Sequence, residues 1–258
     1  MHAHFVLAHP EPDSFNGHLV RSATDALTAR GWTVSVSDLY RQGFDPAERP
    51  AHYKRRRDEA RFDVQAEQRH ASAEGTLPAD VADELALLDR SDLLVLQYPM
   101  WWHLPPAMMK GWFDRVLAYG AAYTSTKRFE NGRFAGKRAM LSVTVGTSRD
   151  TYRHDGRSGD IDLLLWPVNF SLAYVGYTVL EPFVGYGVEA GLTYSEPEAV
   201  RARLAGIVKN LRDQLPDAFE RPVLRFNRMD EWGPDGRILR DAPVHSAFVR
   251  RKPVLDFG

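Results

Sequence analysis

The chain has 258 residues, enough for one sizeable domain or two small ones. Its formal net charge of −1 removes the electrostatic case for binding nucleic acid or an anionic membrane surface. The absence of cysteine excludes disulfides and thiolate chemistry and suits a cytoplasmic protein. No apolar run approaches the roughly 20 residues of a membrane span, and the histidines lack metal-binding spacing.

The hydrophobic pattern predicts β-strands that alternate with helices. The strands are predicted at residues 5–8, 32–38, 93–96, 138–144 and 177–184. The helices are predicted at residues 18–29, 78–89, 105–116, 163–173 and 197–215. This order favours a doubly wound, five-stranded parallel sheet with helices on both faces.

The remaining segments are polar or irregular. Residues 39–76 form an insertion, in which the basic run at residues 54–57 is flanked by Asp58 and Glu59. That flanking favours a solvated helix face over a binding patch. We expect one catalytic domain over residues 1–215, and an extended tail over residues 216–258 that packs on the body or on a partner subunit.

The first loop of unusual composition follows the first predicted strand. Residues 9–17 hold Ser14 and Asn16 directly before a predicted helix. Residues of these types cap helices, and they also donate hydrogen bonds to phosphate at a helix N-terminus, which favours anions. Taken alone, the loop does not distinguish capping from phosphate binding, and it has no P-loop or Rossmann glycine pattern.

Two further loops follow the third and fourth predicted strands. Residues 99–103 carry two adjacent tryptophans, and residues 145–152 carry small residues and then a tyrosine. A core aromatic cluster is the plain alternative for the tryptophans. In a doubly wound sheet, however, a ligand lies at the carboxyl ends of the strands, where all these loops fall. A phosphate-binding loop, an aromatic floor and a small-residue loop together fit a phosphorylated planar cofactor, a flavin.

Several stretches of the sequence are similar to one known family. They are AHPEPDSFNG at residues 8–17, YPMWWHLPPAMMKGWFDRV at 98–116, FAGKRAMLSVTVGTS at 134–148, and GDIDLLLWPVNF at 159–170 with LEPFVGY at 180–186. With these motifs the chain resembles the flavodoxin-like NAD(P)H:quinone oxidoreductases, the DT-diaphorase family. The resemblance implies a flavodoxin-like fold and a homodimeric flavoenzyme that passes a hydride from NADH or NADPH to quinones. It favours FAD over FMN, and a single aromatic platform predicts a ping-pong mechanism.

The resemblance also implies roles for individual residues. Flavin phosphate contacts fall at His9, Ser14, Phe15 and Asn16. Contacts with the flavin ring fall at Pro99, Met100, Trp101, Trp102, His103, Thr144, Val145, Gly146, Thr147 and Ser148. The catalytic tyrosine beside the pyrimidine edge of the flavin falls at Tyr152, and the arginine at the adenosine diphosphate end of FAD falls at Arg201. The substrate pocket would be lined by Trp102, Gly146, Thr147, Tyr119 and Tyr123.

The chain departs from the family pattern near the expected flavin. Trp101 stands where the family often has glutamine, His103 replaces an aromatic residue, and Thr147 replaces a glycine. The histidine partner of the family's tyrosine falls on Ser158, so Ser158 and the nearby His154 are alternative candidates for the proton relay.

Flavin chemistry explains why no nucleophile or metal site stands out, because the cofactor supplies the reaction and the protein holds it and stabilises charge. The hydroxyl of Tyr152 and backbone N–H groups of residues 146–148 are the predicted donors. The alternatives are a regulatory subunit of a potassium-efflux antiporter, an azo- or nitro-compound reductase with the same flavin chemistry, and a flavin-free binding module. The insertion and the tail argue against the antiporter subunit.

Overall fold

The computed structural model describes residues 1–189, 195–246 and 248–252. The strands are β1 (His2–Leu7), β2 (Thr33–Asp38), β3 (Leu93–Pro99), β4 (Arg138–Val145), β5 (Thr178–Val179) and β6 (Phe183–Tyr186). The α-helices are α1 (Phe15–Ala29), α2 (Val64–Ala73), α3 (Ala79–Arg90), α4 (Ala107–Val116), α5 (Ile161–Tyr174) and α6 (Pro197–Gln214). Within the described ranges, no helix combines the length and the apolar character that crossing a membrane requires.

The strands form one parallel sheet in the order β2-β1-β3-β4-β5. The predicted fifth strand is divided into β5 and β6, which pair with successive parts of β4. Pro182 lies between the two short strands, and a proline has no N–H to contribute to a ladder. The predicted doubly wound parallel sheet is confirmed, and the strand order reverses between β1 and β3, which is where such folds bind ligands.

Helices cover both faces of the sheet, and the pleat of each strand divides its side chains between them. Phe5 of β1 belongs to the core cluster formed with α1 and α6. Its neighbour Val6 belongs to the opposite cluster, formed with α3, α4 and α5. Because both faces are covered, β3 is buried along its whole length, as its continuous apolar run predicts.

The insertion at residues 39–76 is more ordered than its sequence indicates. It contains α2, whose N-cap Asp63 accepts a 3.1 Å hydrogen bond from the backbone N–H of Ala66. The basic run at residues 54–57 is largely exposed to solvent, as predicted, but the predicted helix is wrong, because these residues are not helical. Arg56 instead pairs at 2.9 Å with Glu67, whose side chain is almost wholly buried. Arg56 therefore fixes the irregular part of the insertion to α2.

Helix α4, which follows the aromatic loop, is fixed by close contacts with the insertion and with α3. A Cβ atom on Gly111 would lie 2.2 Å from the carbonyl oxygen of Pro46, so only glycine permits this approach. The buried Arg115 donates two hydrogen bonds to Asp80 of α3, at 2.5 and 3.0 Å, and one to the carbonyl oxygen of Asp45. These contacts set the position of the helix that carries the aromatic loop.

The described part of the tail runs along the body. Val223 forms an antiparallel bridge with Leu180, and the N–H of Leu224 donates to the carbonyl oxygen of Val179 at 2.9 Å. Farther along, the ring of Phe248 stacks on Trp166 of α5 with centroids 4.3 Å apart. Residues 190–194 of the predicted domain, and 247 and 253–258 of the predicted tail, lie outside the described residues. The division at residue 215 stays a prediction.

Candidate active site

The loop after β1 leads into the capped N-terminus of α1. The Ser14 hydroxyl accepts a 3.1 Å hydrogen bond from the N–H of Gly17, so this side chain serves as the N-cap. The N–H groups of Phe15 and Asn16 lie in the first turn, where a helix provides no intrahelical acceptor. The His9 ring accepts a 3.0 Å hydrogen bond from the N–H of Glu11, which holds it within the loop. The free N–H groups and the helix dipole favour an anion here.

The side chain of Asn16 points into the protein rather than toward the loop. Its Nδ2 donates to Oγ1 of Thr144 at 3.1 Å, and its Oδ1 accepts from Nε2 of Gln97 at 2.8 Å. Both ends of the amide are therefore engaged by buried partners. A phosphate contact at this residue can come only from its backbone N–H.

The chain leaves β3 through a two-residue turn with unusual backbone geometry. Trp101 and Leu104 exchange two backbone hydrogen bonds of 3.0 Å across the turn. Trp102 and His103 lie at its tip, with φ angles of 51° and 64°. This is the φ pattern of a type I′ turn, which usually contains Asn and Gly. A bulky residue held there costs of order 1–3 kcal/mol, and such strain is concentrated at functional sites.

The turn presents its tryptophans to solvent. Trp102 is 92% exposed and Trp101 is 42% exposed, so Trp102 recovers almost no burial energy in this chain. The core-cluster alternative for these tryptophans is therefore wrong. An exposed indole on a strained turn is typical of a binding surface.

The loop after β4 leaves open space at its first residue. Among the described residues, a Cβ atom on Gly146 would have only the carbonyl oxygen of Val188 within 4 Å, at 3.8 Å. The Thr147 hydroxyl lies 2.6 Å from that of Thr151, so its polar end is engaged within the loop. Ser148 follows, exposed, and its carbonyl oxygen accepts from the N–H of Thr151 at 3.2 Å.

Tyr152 ends a short 3₁₀ turn, Arg149–Tyr152, and is partly buried. Its ring lies 6.2 Å from that of Tyr186, at the end of β6, and burial raises the pKa of the Tyr186 hydroxyl. Ser158 is tied to the same loop by a 2.8 Å hydrogen bond from its N–H to Thr151, and His154 is exposed. In the described residues, neither relay candidate is hydrogen-bonded to the Tyr152 hydroxyl. The relay stays a prediction.

A cavity of about 670 Å³ lies between α1 and α6. It starts at Phe15, so it adjoins the N-terminus of α1. Its walls combine apolar residues with three basic side chains, Arg201, Lys209 and Arg212, together with His18 and with Asp213, which pairs with Lys209. The sequence analysis identified Arg201 and missed the other two, although Lys209 and Arg212, eight and eleven positions after Arg201, fall on the same side of α6 by helical periodicity.

A second cavity, of about 660 Å³, is lined by the insertion, α4 and α5. It adjoins the aromatic turn through Leu104 and includes Tyr123 and Tyr174 in its wall. Burial raises the pKa of the Tyr123 hydroxyl. Tyr119 packs edge-on against Tyr123, with centroids 5.3 Å apart, but it does not line this cavity.

Comparisons with known proteins identify the family. Residues 1–211 match a family model described as a flavodoxin-like fold. NAD(P)H dehydrogenase [quinone] 1 of Cavia porcellus is 38% identical over 219 residues, which cover 83% of this chain and 78% of the relative. The chain belongs to the flavodoxin-like NAD(P)H:quinone oxidoreductase family. The family, the fold and the oxidoreductase class predicted from the sequence are therefore confirmed.

Two other family comparisons agree. Ribosyldihydronicotinamide dehydrogenase [quinone] of Mus musculus is 35% identical over 209 residues, covering 80% of this chain and 89% of the relative. The solved structure of a provisionally assigned quinone reductase from Klebsiella pneumoniae has a TM-score of 0.83 and 31% identity, covering 92% of this chain and 93% of that chain.

In this family member the loop after β3 contacts both the loop after β1 and the carboxyl end of β4, from which the third loop starts. Pro99 and Thr144 are register partners, and the N–H of Met100 donates to the carbonyl oxygen of Thr144 at 2.9 Å. The rings of His9 and Trp101 lie 6.2 Å apart. Val145 ends β4 beside β6, with Tyr186 as its register partner. The predicted loops thus share one edge of the sheet. Arg201 and Tyr123 instead line the two neighbouring cavities, and Tyr119 packs behind Tyr123.

Proposed function

We propose that the chain binds FAD at this edge and reduces quinones by two electrons with NADH or NADPH as the hydride donor. The observation that carries the proposal is the meeting of three loops with complementary chemistry. One ends in an anion-favouring helix N-terminus, one presents the exposed indole of Trp102, and one leaves open space at Gly146. A phosphorylated tricyclic ring system needs all three features.

The residues present fit a flavin. Free N–H groups of Phe15 and Asn16 would hold the phosphate, Trp102 would contact the ring, and the backbone at Gly146 allows the ring to approach closely. A flavin supplies the acceptance and return of a hydride, which no side chain of this protein can perform.

FAD is favoured over FMN by the cavity between α1 and α6. This cavity begins beside the proposed phosphate site and carries Arg201, Lys209 and Arg212 on its wall. An adenosine diphosphate group is anionic at one end and planar at the other, so it suits a basic cavity with apolar walls. FMN would make no use of these side chains.

The protein's part in the reaction is positioning and charge stabilisation. With a flavin bound, the Tyr152 hydroxyl and the N–H groups of residues 146–148 would donate hydrogen bonds to it and stabilise negative charge. Each bond contributes roughly 1–3 kcal/mol, the range for hydrogen bonds to charged groups. Trp102 provides one platform for both substrates, so the oxidised nicotinamide leaves before the quinone enters.

We propose a homodimer as the working assembly. The cavity beside the aromatic turn is lined mainly by apolar and aromatic side chains, and Val64 and Leu104 on its rim are exposed in the single chain. A second copy covering this face would bury them.

The cytoplasmic location stays a prediction. The names of the relatives favour quinones over the antiporter-subunit and azo- or nitro-reductase alternatives.

The visible spectrum of the purified protein tests this function. We expect flavin absorbance, release of FAD on denaturation, bleaching by NADPH or NADH without oxygen, and recovery of colour on adding a soluble benzoquinone. Chromatography of the released cofactor separates FAD from FMN. A colourless protein that cannot be reconstituted with either flavin would overturn the proposal.

A further inference from the structure

Gln97 is a polar residue in the middle of an otherwise apolar central strand. Its neighbours on β3 include Leu96 and Tyr98, and the Gln97 side chain is completely buried. Its Nε2 donates a 2.8 Å hydrogen bond to Oδ1 of Asn16. Burying an amide has a desolvation cost that an apolar residue at this position would avoid. The presence of glutamine at this position therefore indicates that Gln97 has a role other than filling the core.

Through Asn16, Gln97 is joined to the end of β4. The Nδ2 atom of Asn16 donates to Oγ1 of Thr144 at 3.1 Å, and both residues are buried. Backbone bonds reinforce the link, since the carbonyl oxygen of Gln97 accepts from Ala8 and that of Thr144 accepts from Met100. One buried group, Gln97–Asn16–Thr144, thus connects all three loops of the candidate site.

The group is not arranged for maximum stability. In the part of the chain that the structure describes, neither the Oε1 atom of Gln97 nor the Oγ atom of Ser142, its register partner on β4, has a hydrogen-bond partner. Unpartnered buried polar atoms destabilise a fold. Their presence beside the hydrogen bond to Asn16 indicates that the Gln97 amide has a role in the candidate site rather than in stabilising the core.

We propose that Gln97 is a positioning residue of the flavin site and acts through the side-chain amide of Asn16. Gln97 and Thr144 hold Asn16 from two strands, which fixes the N-terminus of α1 against the loop after β4. The N-terminus of α1 is the proposed phosphate site, and the loop after β4 is part of the proposed ring site. The inference therefore rests on the proposed function. A ligand whose phosphate and ring are covalently linked gains affinity from both sites only when the distance between the sites matches the distance between these two groups.

The substitution Gln97→Met tests this role, because it removes the donor to Asn16 and keeps an apolar side chain of similar length. Ser142→Ala is the matched control, since it removes a buried polar atom beside Gln97 that has no bond to Asn16. Flavin is stripped from each protein, and dissociation constants for FMN and riboflavin are measured by quenching of flavin fluorescence. Riboflavin has the ring without the phosphate, so the ratio of the riboflavin constant to the FMN constant reports how well the two sites cooperate.

We expect Gln97→Met to weaken FMN binding about tenfold and riboflavin binding less than about twofold, as loss of one positioning hydrogen bond predicts. Ser142→Ala should leave the ratio unchanged. Equal weakening of both flavins by Gln97→Met would mean general destabilisation and would overturn the proposal, as would an unchanged ratio.

A second variant covers the case in which Gln97→Met does not fold. Thr144→Val removes the other partner of Asn16, and it should lower the same ratio of dissociation constants. If that ratio stays at the wild-type value, the positioning role is refuted. Wild-type protein that binds neither FMN nor FAD refutes the proposed function itself, whereas flavin binding with unchanged ratios refutes only the role of Gln97.

Discussion

The indole N–H of Trp112 on α4 donates a 2.8 Å hydrogen bond to the buried carboxylate of Glu84 on α3. Ser37 of β2 donates to the other carboxylate oxygen at 2.5 Å, and the ring of His4 lies 3.8 Å away. Burial by itself raises the pKa of the Glu84 carboxyl. The pKa is nevertheless lowered, because the nearby His4 ring and the hydrogen bonds from Ser37 and Trp112 stabilise the ionised form.

The lowered pKa of Glu84 predicts a pH-dependent contribution to stability. Glu84→Gln should reduce the free energy of unfolding at pH 7 by about 1–3 kcal/mol. The difference from wild type should persist down to the unfolded pKa of 4.5 and shrink as the pH falls below it, since the wild-type carboxylate then becomes protonated. Thermal unfolding from pH 3 to 7 measures this. Asp83→Asn, exposed on the same helix, is the control, and a constant difference across the range would contradict the prediction.

The strained aromatic turn predicts opposite effects on stability and function. Trp102→Gly relaxes a positive φ and removes an indole that is 92% exposed. The free energy of unfolding of the flavin-free protein should stay unchanged or rise by up to about 2 kcal/mol, while kcat/KM falls about tenfold or more. Denaturant titration and steady-state kinetics measure the two effects. His103→Gly relaxes the same turn but keeps the indole, so it should retain more activity. Wild-type kcat/KM in Trp102→Gly would refute the platform.

The Tyr152 hydroxyl is predicted to act on the charge that develops during flavin reduction. Tyr152→Phe should slow flavin reduction about ten- to a hundredfold while flavin stays bound, since one hydrogen bond to a charged group is lost. Anaerobic stopped-flow absorbance measures the rate. Tyr186→Phe is the neighbouring control, with its ring 6.2 Å from that of Tyr152. An unchanged reduction rate in Tyr152→Phe would show that this hydroxyl only satisfies the core.

Arg201 is predicted to distinguish FAD from FMN. It lines the cavity between α1 and α6, beyond the proposed phosphate site. Arg201→Ala should weaken FAD binding about tenfold and leave FMN binding unchanged, because only FAD carries the second phosphate and adenosine. Fluorescence titration with both flavins measures this. Equal affinities of the wild-type protein for FAD and FMN would contradict the proposal that FAD is the preferred cofactor.

A shared platform predicts ping-pong kinetics. One exposed indole at Trp102 serves both the nicotinamide and the quinone, so the two substrates occupy the site in turn. Double-reciprocal plots of initial rate at several fixed quinone concentrations should be parallel. Intersecting lines would require both substrates to be bound at once.

The sequence predicted those parts of the fold that depend on local pattern. Apolar runs located the central strands, because strands buried on both faces leave no polar alternation. Helix α2 was missed because it buries Glu67 and Gln68, so its inner face is not apolar in sequence. The start of α1 was placed at residue 18 rather than at Phe15, since the sequence offered both Ser14 and Asn16 as capping residues and only the hydrogen bond from Gly17 identifies Ser14 as the N-cap.

The site was predictable in location and less so in detail. The unusual loops follow strands, and the topology brings strand ends to one edge, so their meeting could be inferred. The direction of the Asn16 side chain could not, because its partners Gln97 and Thr144 are distant in sequence. The strain at Trp102 and His103 was also hidden, since these residue types rarely form such a turn.

The contact between the tail and β5 has a consequence for the behaviour of the protein at high concentration. An edge strand with free backbone groups is a template on which another molecule can add a strand, and this is how many sheets aggregate. Here the bridge from Leu180 to Val223 and the bond from Leu224 to Val179 cover that edge from within the same chain. The tail thus protects the β5 edge from pairing with a strand of another molecule.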